Sequence, residues 1–191
     1  CSSDLIPTVR DRKEELSAAR DEPYEYGWPL SLGAAEVPLF EMIRGYTTFA
    51  RGGTAIEPVS ILRIEDRHGN ILHQAPEEIE EEDVLDPRVA AMITSILSDE
   101  SARPDEYWRT QLTIPGFQTA AKTGTSNKCL KRDETTGRCF DSKPDNTWTI
   151  GYTPALVAGA WAGNASGGAL NLNASGLDTA SHIWRRFMIG A

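Results

Sequence analysis

The chain has 191 residues, of which 40% are hydrophobic and 25% are charged, a composition typical of a globular domain, or a large piece of one, with a buried core. Its apolar runs are far shorter than the roughly 20 residues of a membrane-spanning helix, so the sequence predicts neither a transmembrane segment nor a signal peptide. The formal net charge of −9, with no basic stripe to offset it, argues against nucleic-acid binding.

The first predicted helix covers residues 37–50, with Pro38 suited to its first turn. Its apolar residues have the three-and-four spacing of one helix face: Leu39, Ile43, Tyr46 and Phe49 or Ala50. The next segment, 60–74, contains two β-rich runs around a Gly-Asn pair and predicts a hairpin. The acidic run EEIEEED at 77–83 is interpreted as a solvated connection without a metal role.

Two further helices are predicted. The one over residues 86–100 starts with Asp86 as N-cap and Pro87 at the first helical position. One side of it is apolar: Val89, Met92, Ile93, Ile96 and Leu97. The other covers 176–190 and is expected to pack across a sheet. Its apolar residues also share one face: Leu177, Ala180, Ile183, Trp184, Phe187 and Met188.

The sheet is predicted from three β-rich stretches at 116–125, 147–153 and 155–164. The last two are separated only by a short turn at Pro154, so we expect them to pair antiparallel. The first is joined to them by a long insertion, at about 127–144, interpreted as a surface loop. A lip over a cleft is the alternative interpretation of this insertion.

The chain has three cysteines, so at least one has no disulfide partner within it, and Cys1 is far in sequence from the other two. Cys129 and Cys139 flank the polar segment LKRDETTGR, and a disulfide between them is predicted, which requires an oxidising compartment. A zinc site is not expected, because the three histidines are scattered and none lies at metal-ligand spacing from a cysteine.

The most informative stretch is AAKTGTSNK at 120–128, at the end of an apolar run. A glycine on a strand edge lets a ligand approach the backbone, so Lys122, Thr123, Gly124 and Thr125 together suit the binding of a carboxylate. The alternative is a strand that ends at a glycine turn with a solvated lysine. A phosphate loop is excluded, because residues 117–121 contain no glycine.

Lys-Thr-Gly is one of three active-site elements of penicillin-binding proteins and serine β-lactamases. The stretches AAKTGTS, DNTWTIGYTP and LVAGAWAGN resemble the C-terminal strands of the transpeptidase domain of class A penicillin-binding proteins, the bifunctional peptidoglycan synthases. SLGAAEVPLFEMIRGYTTFARGG, ILSDESAR and SGLDTASHIWRRFM are similar to other segments of that family. The resemblance runs from about residue 7 to the C-terminus and covers only the later part of that domain, so residues 1–191 are interpreted as one N-terminally truncated domain.

The resemblance implies an α+β fold of the serine β-lactamase and D,D-peptidase type, an antiparallel sheet flanked by helices. It also implies D,D-transpeptidase activity on peptidoglycan stem peptides, acylation by β-lactams, no cofactor or metal, and an extracytoplasmic, periplasmic location with a membrane anchor upstream of this chain. By the same resemblance, Lys122 binds the substrate carboxylate, Thr123 supports the strand and Gly124 stays small. Thr125 donates its hydroxyl to the carboxylate and its backbone N–H to the oxyanion hole.

The chain departs from the family pattern at the nucleophile. Acyl transfer requires a nucleophile and a base, which this family takes from Ser-x-x-Lys, yet no serine here has a lysine three residues later. In SSDLIPTVR, at 2–10, the position of the family's second element holds Asp4 or Leu5 instead of asparagine, so Ser2 and Ser3 receive no catalytic role. The 191 residues are therefore predicted to be inactive alone.

Three functions stay open at this point. The first is the C-terminal part of a class A transpeptidase whose activity needs an upstream segment. The second is an acyl hydrolase of the same fold, either a D,D-carboxypeptidase or a β-lactamase. The third is a non-catalytic binding or structural module without a nucleophile.

Overall fold

The structure, a computed structural model, describes residues 6–33 and 35–191. Within them the helices are α1 (Pro7–Arg20), α2 (Leu39–Ala50), α3 (Pro87–Ser98), α4 (Glu106–Leu112) and α5 (Ala180–Gly190), with 3-10 turns at Trp28–Leu32 and Glu100–Ala102. The strands are β1 (Thr54–Ile56), β2 (Arg63–Glu65), β3 (Ile71–Gln74), β4 (Glu81–Asp83), β5 (Ala120–Arg132), β6 (Cys139–Tyr152) and β7 (Val157–Gly163). The predicted α+β class is confirmed, while the predictions for residues 1–5 lie outside the described residues.

The central sheet has the strand order β5-β6-β7, and both neighbouring pairs are antiparallel, as predicted for the last two strands. β5 therefore forms one edge of this sheet. The register pairs Lys122 with Ile150 and Gly124 with Trp148. Because successive side chains of a strand point to opposite faces, Lys122 and position 124 share one face, and Ala121 belongs to the other.

α5 covers the Ala121 face of the central sheet and supplies the centre of the core. Trp184 is 1% exposed, and its indole N–H donates to the carbonyl of Ala158 at 3.1 Å. Gly151 makes room for this ring, since a Cβ there would lie 2.6 Å from Trp184 Cζ2. The buried hydrophobic cluster comprises Leu112, Ile114, Ala121, Ala158, Ala160, Leu177, Ala180, Trp184 and Met188.

α2 packs against the opposite face of the sheet. A Cβ at Gly159 of β7 would lie 2.9 Å from Cγ1 of Ile43 and 3.0 Å from Cδ1 of Leu39, so the predicted apolar face of this helix contacts the strand. α2 begins at Leu39, two residues later than predicted, because Pro38 occupies the N-cap. The contact leaves the β5 edge of the same face uncovered by α2 and available to line a cavity.

α3 begins as predicted, with the Asp86 side chain accepting the backbone N–H of Arg88 at 2.8 Å. Its predicted apolar face is partly wrong. Ala90 is 0% exposed, whereas Met92 and Ile96 are 62% and 70% exposed. α3 packs against both α2 and β5, and the small alanine allows that close approach, so the larger side chains point away from it.

Replacing Asp86 with alanine should destabilise the fold more near neutral pH than in acid. The hydrogen bonds from the Arg88 side chain and backbone hold the pKa of Asp86 below the ordinary carboxyl value of 3.8. A carboxylate with a lowered folded pKa stabilises the protein above the unfolded pKa, and this contribution is lost as the pH falls through the folded pKa.

Urea midpoints of the two proteins, measured near neutral pH and again below the Asp86 pKa, check this expectation. The variant Asp86→Asn is the control, because its side-chain oxygen still caps the helix at both pH values. An equal loss of stability for Asp86→Ala at both pH values would contradict the capping role of the carboxylate.

The segment from 127 to 144 is a hairpin and not the predicted loop. β5 continues to Arg132 and β6 starts at Cys139, with a turn between them. A disulfide joins Cys129 to Cys139, with the Cα atoms 5.9 Å apart. Side chains are mostly exposed on both faces of the β5 half of this hairpin, so no burial alternation marks it as a strand in the sequence.

The predicted hairpin at 60–74 is present as β2 and β3. The interpretation of the acidic run as a plain connection is corrected at its end, where Glu81–Asp83 forms β4 and pairs antiparallel with β1. α5 begins at Ala180, four residues later than predicted, and α1 and α4 had no sequence prediction. No helix among the described residues has the length and hydrophobicity to cross a membrane.

Candidate active site

A cavity of about 1000 Å³ opens between the β5 edge of the central sheet and α2. Residues 122–126 of β5 form one wall, and Trp148 and Ile150 of β6 continue it. Met42 and Tyr46 of α2 face them. The four residues predicted as a carboxylate-binding stretch thus all line a single cavity large enough for a peptide end.

Lys122 is the cation of this cavity wall. Its ammonium donates to the backbone carbonyl of Thr123 at 2.6 Å and makes no ion pair within the described part of the chain. The side chain is exposed to the cavity. A carboxylate entering the cavity can therefore replace a neutral carbonyl as the partner of this ammonium, which gives a charge-assisted hydrogen bond.

Thr125 lies in the same wall, but its hydroxyl turns the other way. Its Oγ1 accepts the backbone N–H of Gly176 at 3.1 Å, in the segment that leads to α5. Strand alternation puts this hydroxyl on the face opposite the Lys122 side chain. The predicted convergence of the ammonium and this hydroxyl on one carboxylate is therefore not what the structure shows.

Gly124 is open on the cavity side. A Cβ built at this position would meet only Cβ of Trp148, at the ordinary contact distance of 3.5 Å. The tight contact is on the other side of the strand, where Gly176 lies against the backbone. A Cβ at Gly176 would lie 2.5 Å from the carbonyl oxygen of Trp148 and 2.6 Å from that of Gly124.

Gly176 is therefore a site residue that the sequence reasoning missed. Its backbone N–H donates to the hydroxyl oxygen of Thr125, and its carbonyl oxygen accepts a hydrogen bond from the Thr149 hydroxyl at 3.0 Å. These two hydrogen bonds hold the segment before α5 against the Lys-Thr-Gly-Thr strand, on the sheet face opposite the Lys122 side chain. The sequence analysis placed Gly176 at the start of a helix and gave it no role in the site. The one sequence signal for its role is a glycine directly before the apolar run of that helix.

A chain of hydrogen bonds forms the rim of the cavity beyond Thr125. The Ser126 hydroxyl donates to Oδ1 of Asp145 at 2.6 Å and accepts Nδ2 of Asn146 at 3.2 Å. The indole N–H of Trp161 donates to Oδ1 of Asn146 at 3.0 Å. This set, Ser126, Asp145, Asn146 and Trp161, is called the rim cluster below.

Three tryptophans lie in the core or in the cavity wall. Trp184 is in the core as expected, and Tyr152 is 4% exposed. Trp148 and Trp161 line the cavity, and Trp161 is 39% exposed. Burial raises the pKa of Tyr46 on the facing wall, and the nearby Tyr152 adds to this effect, so the Tyr46 hydroxyl stays neutral and able to donate.

The part of the chain that the structure describes contains no group of three or more His, Cys, Asp or Glu residues arranged to hold a metal ion. The described residues that line the cavity instead offer one ammonium, several hydroxyls and the carboxylates of Glu36 and Asp145. This arrangement has the chemistry that would suit a peptide or another carboxylate-bearing molecule along a strand edge.

Comparison with known proteins places the chain in a family. The family described as penicillin binding protein transpeptidase domain matches residues 23–187, and the chain belongs to it. The match includes the whole of α2 and of β5 to β7, the elements that carry the cavity residues described above. The resemblance seen in the sequence is thereby confirmed.

Curated relatives agree on this family. The chain is 31% identical over 171 residues to penicillin-binding protein 1A of Rickettsia conorii, covering 86% of this chain and 21% of that protein. It is 26% identical over 159 residues to penicillin-binding protein 2D of Bacillus subtilis, covering 83% of this chain and 21% of that protein. The chain thus spans about a fifth of the length of these relatives.

Solved structures share the fold. Penicillin-binding protein 1A of Haemophilus influenzae superimposes with a TM-score of 0.70 at 24% identity, covering 87% of this chain and 28% of that one. PonA1 of Mycobacterium tuberculosis, solved in complex with penicillin V, superimposes with a TM-score of 0.67 at 23% identity, covering 91% of this chain and 42% of that one. The fold of the penicillin-binding transpeptidase domain, of the serine β-lactamase and D,D-peptidase type, is therefore that of this chain.

Proposed function

We propose that these residues form the substrate-binding part of a peptidoglycan D,D-transpeptidase. The observation that carries the proposal is the Lys122 ammonium, which has no ion pair within the described residues and stands in a 1000 Å³ cavity at the edge strand that bears Gly124. A site of this kind suits a peptide that ends in a carboxylate and adds along the edge of the sheet.

In this reaction the hydroxyl of a serine attacks the carbonyl of the penultimate D-Ala, the terminal D-Ala leaves as the amine, and the amine of a second stem peptide then displaces the serine. Lys122 holds the terminal carboxylate, releasing the Thr123 carbonyl. The backbone N–H of Thr125 supplies half of the oxyanion hole, a type of donor whose removal costs about 100- to 1,000-fold in rate. β-Lactams bind in the same way, with their ring carboxylate at Lys122.

The nucleophile has to come from outside these 191 residues, since none of their serines has a lysine three positions later. The chain spans about a fifth of the length of these curated relatives. This coverage supports a longer polypeptide that carries the nucleophile segment and an upstream membrane anchor. An extracytoplasmic, periplasmic location follows from the substrate, and the Cys129–Cys139 disulfide is compatible with an oxidising compartment.

Labelling with a fluorescent penicillin tests the proposal. The full-length polypeptide should form a stable, stoichiometric adduct, and the 191-residue chain alone should form none. Labelling of the short chain would show that a serine within it is the nucleophile. Absence of labelling in the full-length polypeptide would favour a non-catalytic module, and release of D-Ala from a monomeric pentapeptide without cross-linking would favour a carboxypeptidase.

A further inference from the structure

The end of the β5–β6 hairpin carries a charge opposite to that of the chain. Residues 127–144, called the distal hairpin below, include five cations and three carboxylates, a net charge of +2 in a chain of −9. None of the five cations forms an ion pair within the part of the chain that the structure describes. They are Lys128, Lys131, Arg132, Arg138 and Lys143.

Two of these cations repel each other across the strand pair. Lys128 and Lys143 are directly opposite in the register of β5 and β6, and like charges in that arrangement destabilise a strand pair. The Lys128 ammonium donates to the carbonyl of Gly167, which is neutral and does not compensate the charge. An anionic surface placed against the distal hairpin would relieve this repulsion.

Two large apolar side chains project from the same hairpin. Leu130 is 42% exposed and Phe140 is 68% exposed. The register shifts on both sides of the pair formed by Lys131 and Asp141, and Leu130 and Phe140 are the residues left without a cross-strand partner at these shifts. Irregularities of this kind change the direction of side chains. The two apolar residues are therefore neighbours, and both are presented to solvent among the cations.

A protective role explains only part of this arrangement. Charged side chains on an open strand edge discourage pairing with other strands, which accounts for cations on a hairpin that β7 does not reach. It does not account for an exposed leucine and phenylalanine among them. Cations around exposed apolar side chains are typical of surfaces that lie on an anionic bilayer, where the apolar groups enter the acyl boundary and the cations contact the head groups.

We propose that the distal hairpin docks onto an anionic phospholipid surface, with Leu130 and Phe140 in the boundary between head groups and acyl chains. A bilayer is favoured over a polyanion in water, because only the bilayer removes the two apolar side chains from water. The chain as a whole is acidic, so the same surface repels the remainder and restricts contact to the hairpin. This docking goes beyond the proposed function and does not depend on carboxylate binding at Lys122.

Hydrogen exchange of the full-length polypeptide, measured by mass spectrometry, tests the docking. The polypeptide is combined with vesicles of phosphatidylcholine, or of phosphatidylcholine and phosphatidylglycerol in equal parts. Peptides from residues 127–144 should exchange about fivefold more slowly with the anionic vesicles, an effect equivalent to one cation near an anionic surface. Peptides from the equally exposed strands β2 and β3 are the internal reference and should exchange alike with both.

Two double variants separate the contributions of charge and apolar surface. Lys131→Gln with Arg138→Gln, and Leu130→Ser with Phe140→Ser, should each abolish most of the slowing. Arg67→Gln with Arg186→Gln removes the same charge as the first pair outside the distal hairpin, and it should leave the slowing unchanged. Urea midpoints of all three variants check that the fold is retained.

Equal exchange of the distal hairpin with the two kinds of vesicle overturns the docking. Slowing that survives Leu130→Ser with Phe140→Ser shows contact through charge alone and overturns the insertion of the apolar pair. Slowing produced by soluble polyglutamate and not by vesicles identifies an acidic protein segment as the partner and overturns the bilayer. The proposed function is tested separately by penicillin labelling and is unaffected by these outcomes.

Discussion

Lys122→Ala should slow acylation of the full-length polypeptide by fluorescent penicillin by about 10- to 100-fold, the effect of losing one hydrogen bond to a charged group. The alanine removes the only ammonium in the cavity wall formed by residues 122–126. The ring carboxylate of the penicillin then enters the cavity without a cationic partner. The measurement is the second-order rate constant of labelling at several penicillin concentrations.

Lys128→Ala is the matched control on the same strand. The Lys128 ammonium donates to the carbonyl of Gly167 at 2.5 Å and does not line the cavity. Its removal changes the net charge by the same amount, so any difference between the two variants comes from position. Equal slowing in both variants would leave Lys122 without a special role in carboxylate binding.

Elements that bury one face were predictable from the sequence. α2 places Leu39 and Ile43 against β7 at the spacing that the apolar pattern shows. The start of α3 was predictable for a local reason, because an aspartate before a proline satisfies the free N–H groups of the first turn within a few residues. Both signals depend on short-range spacing, which a single sequence carries in full.

Two elements that bury little apolar surface were not predicted. The β5–β6 hairpin beyond Ser126 is held by backbone pairing and the Cys129–Cys139 disulfide, and neither leaves an apolar alternation in the sequence. α1 has only one buried residue, Val9, so it too lacks a strong apolar stripe. The polar segment with a cysteine at each end was interpreted as a loop because its residues are those of an exposed segment. Composition of this kind does not distinguish an exposed strand from a loop.

The candidate site shows the same division. The Lys-Thr-Gly-Thr stretch identified the wall of the cavity, because the residue types themselves carry its chemistry. The orientation of the Thr125 hydroxyl depends on Gly176, which is 51 residues away in the chain. Likewise, the rim cluster joins three strands, and only their register brings Ser126, Asp145 and Trp161 together. Long-range register is not encoded in any local pattern.

Gly176→Ala should destabilise the fold by about 3 kcal/mol, the upper part of the usual range for overpacking. A methyl group there would lie 2.5 Å from the Trp148 carbonyl oxygen, 2.6 Å from the Gly124 carbonyl oxygen and 3.0 Å from the Gly124 nitrogen. All three atoms belong to the paired backbone of β5 and β6, so no side-chain rotation relieves the contact. Relief requires the segment before α5 to move away, which breaks its hydrogen bonds to Thr125 and Thr149.

Gly124→Ala is the control, since the same methyl group on the cavity side of the strand meets only Cβ of Trp148, at 3.5 Å. Its free energy of unfolding should stay within about 1 kcal/mol of the unmodified protein, although the methyl group narrows the cavity at the strand edge. Urea denaturation of both variants separates the two roles. If Gly124→Ala costs as much stability as Gly176→Ala, the close packing beneath the strand is not what fixes the Lys-Thr-Gly-Thr segment.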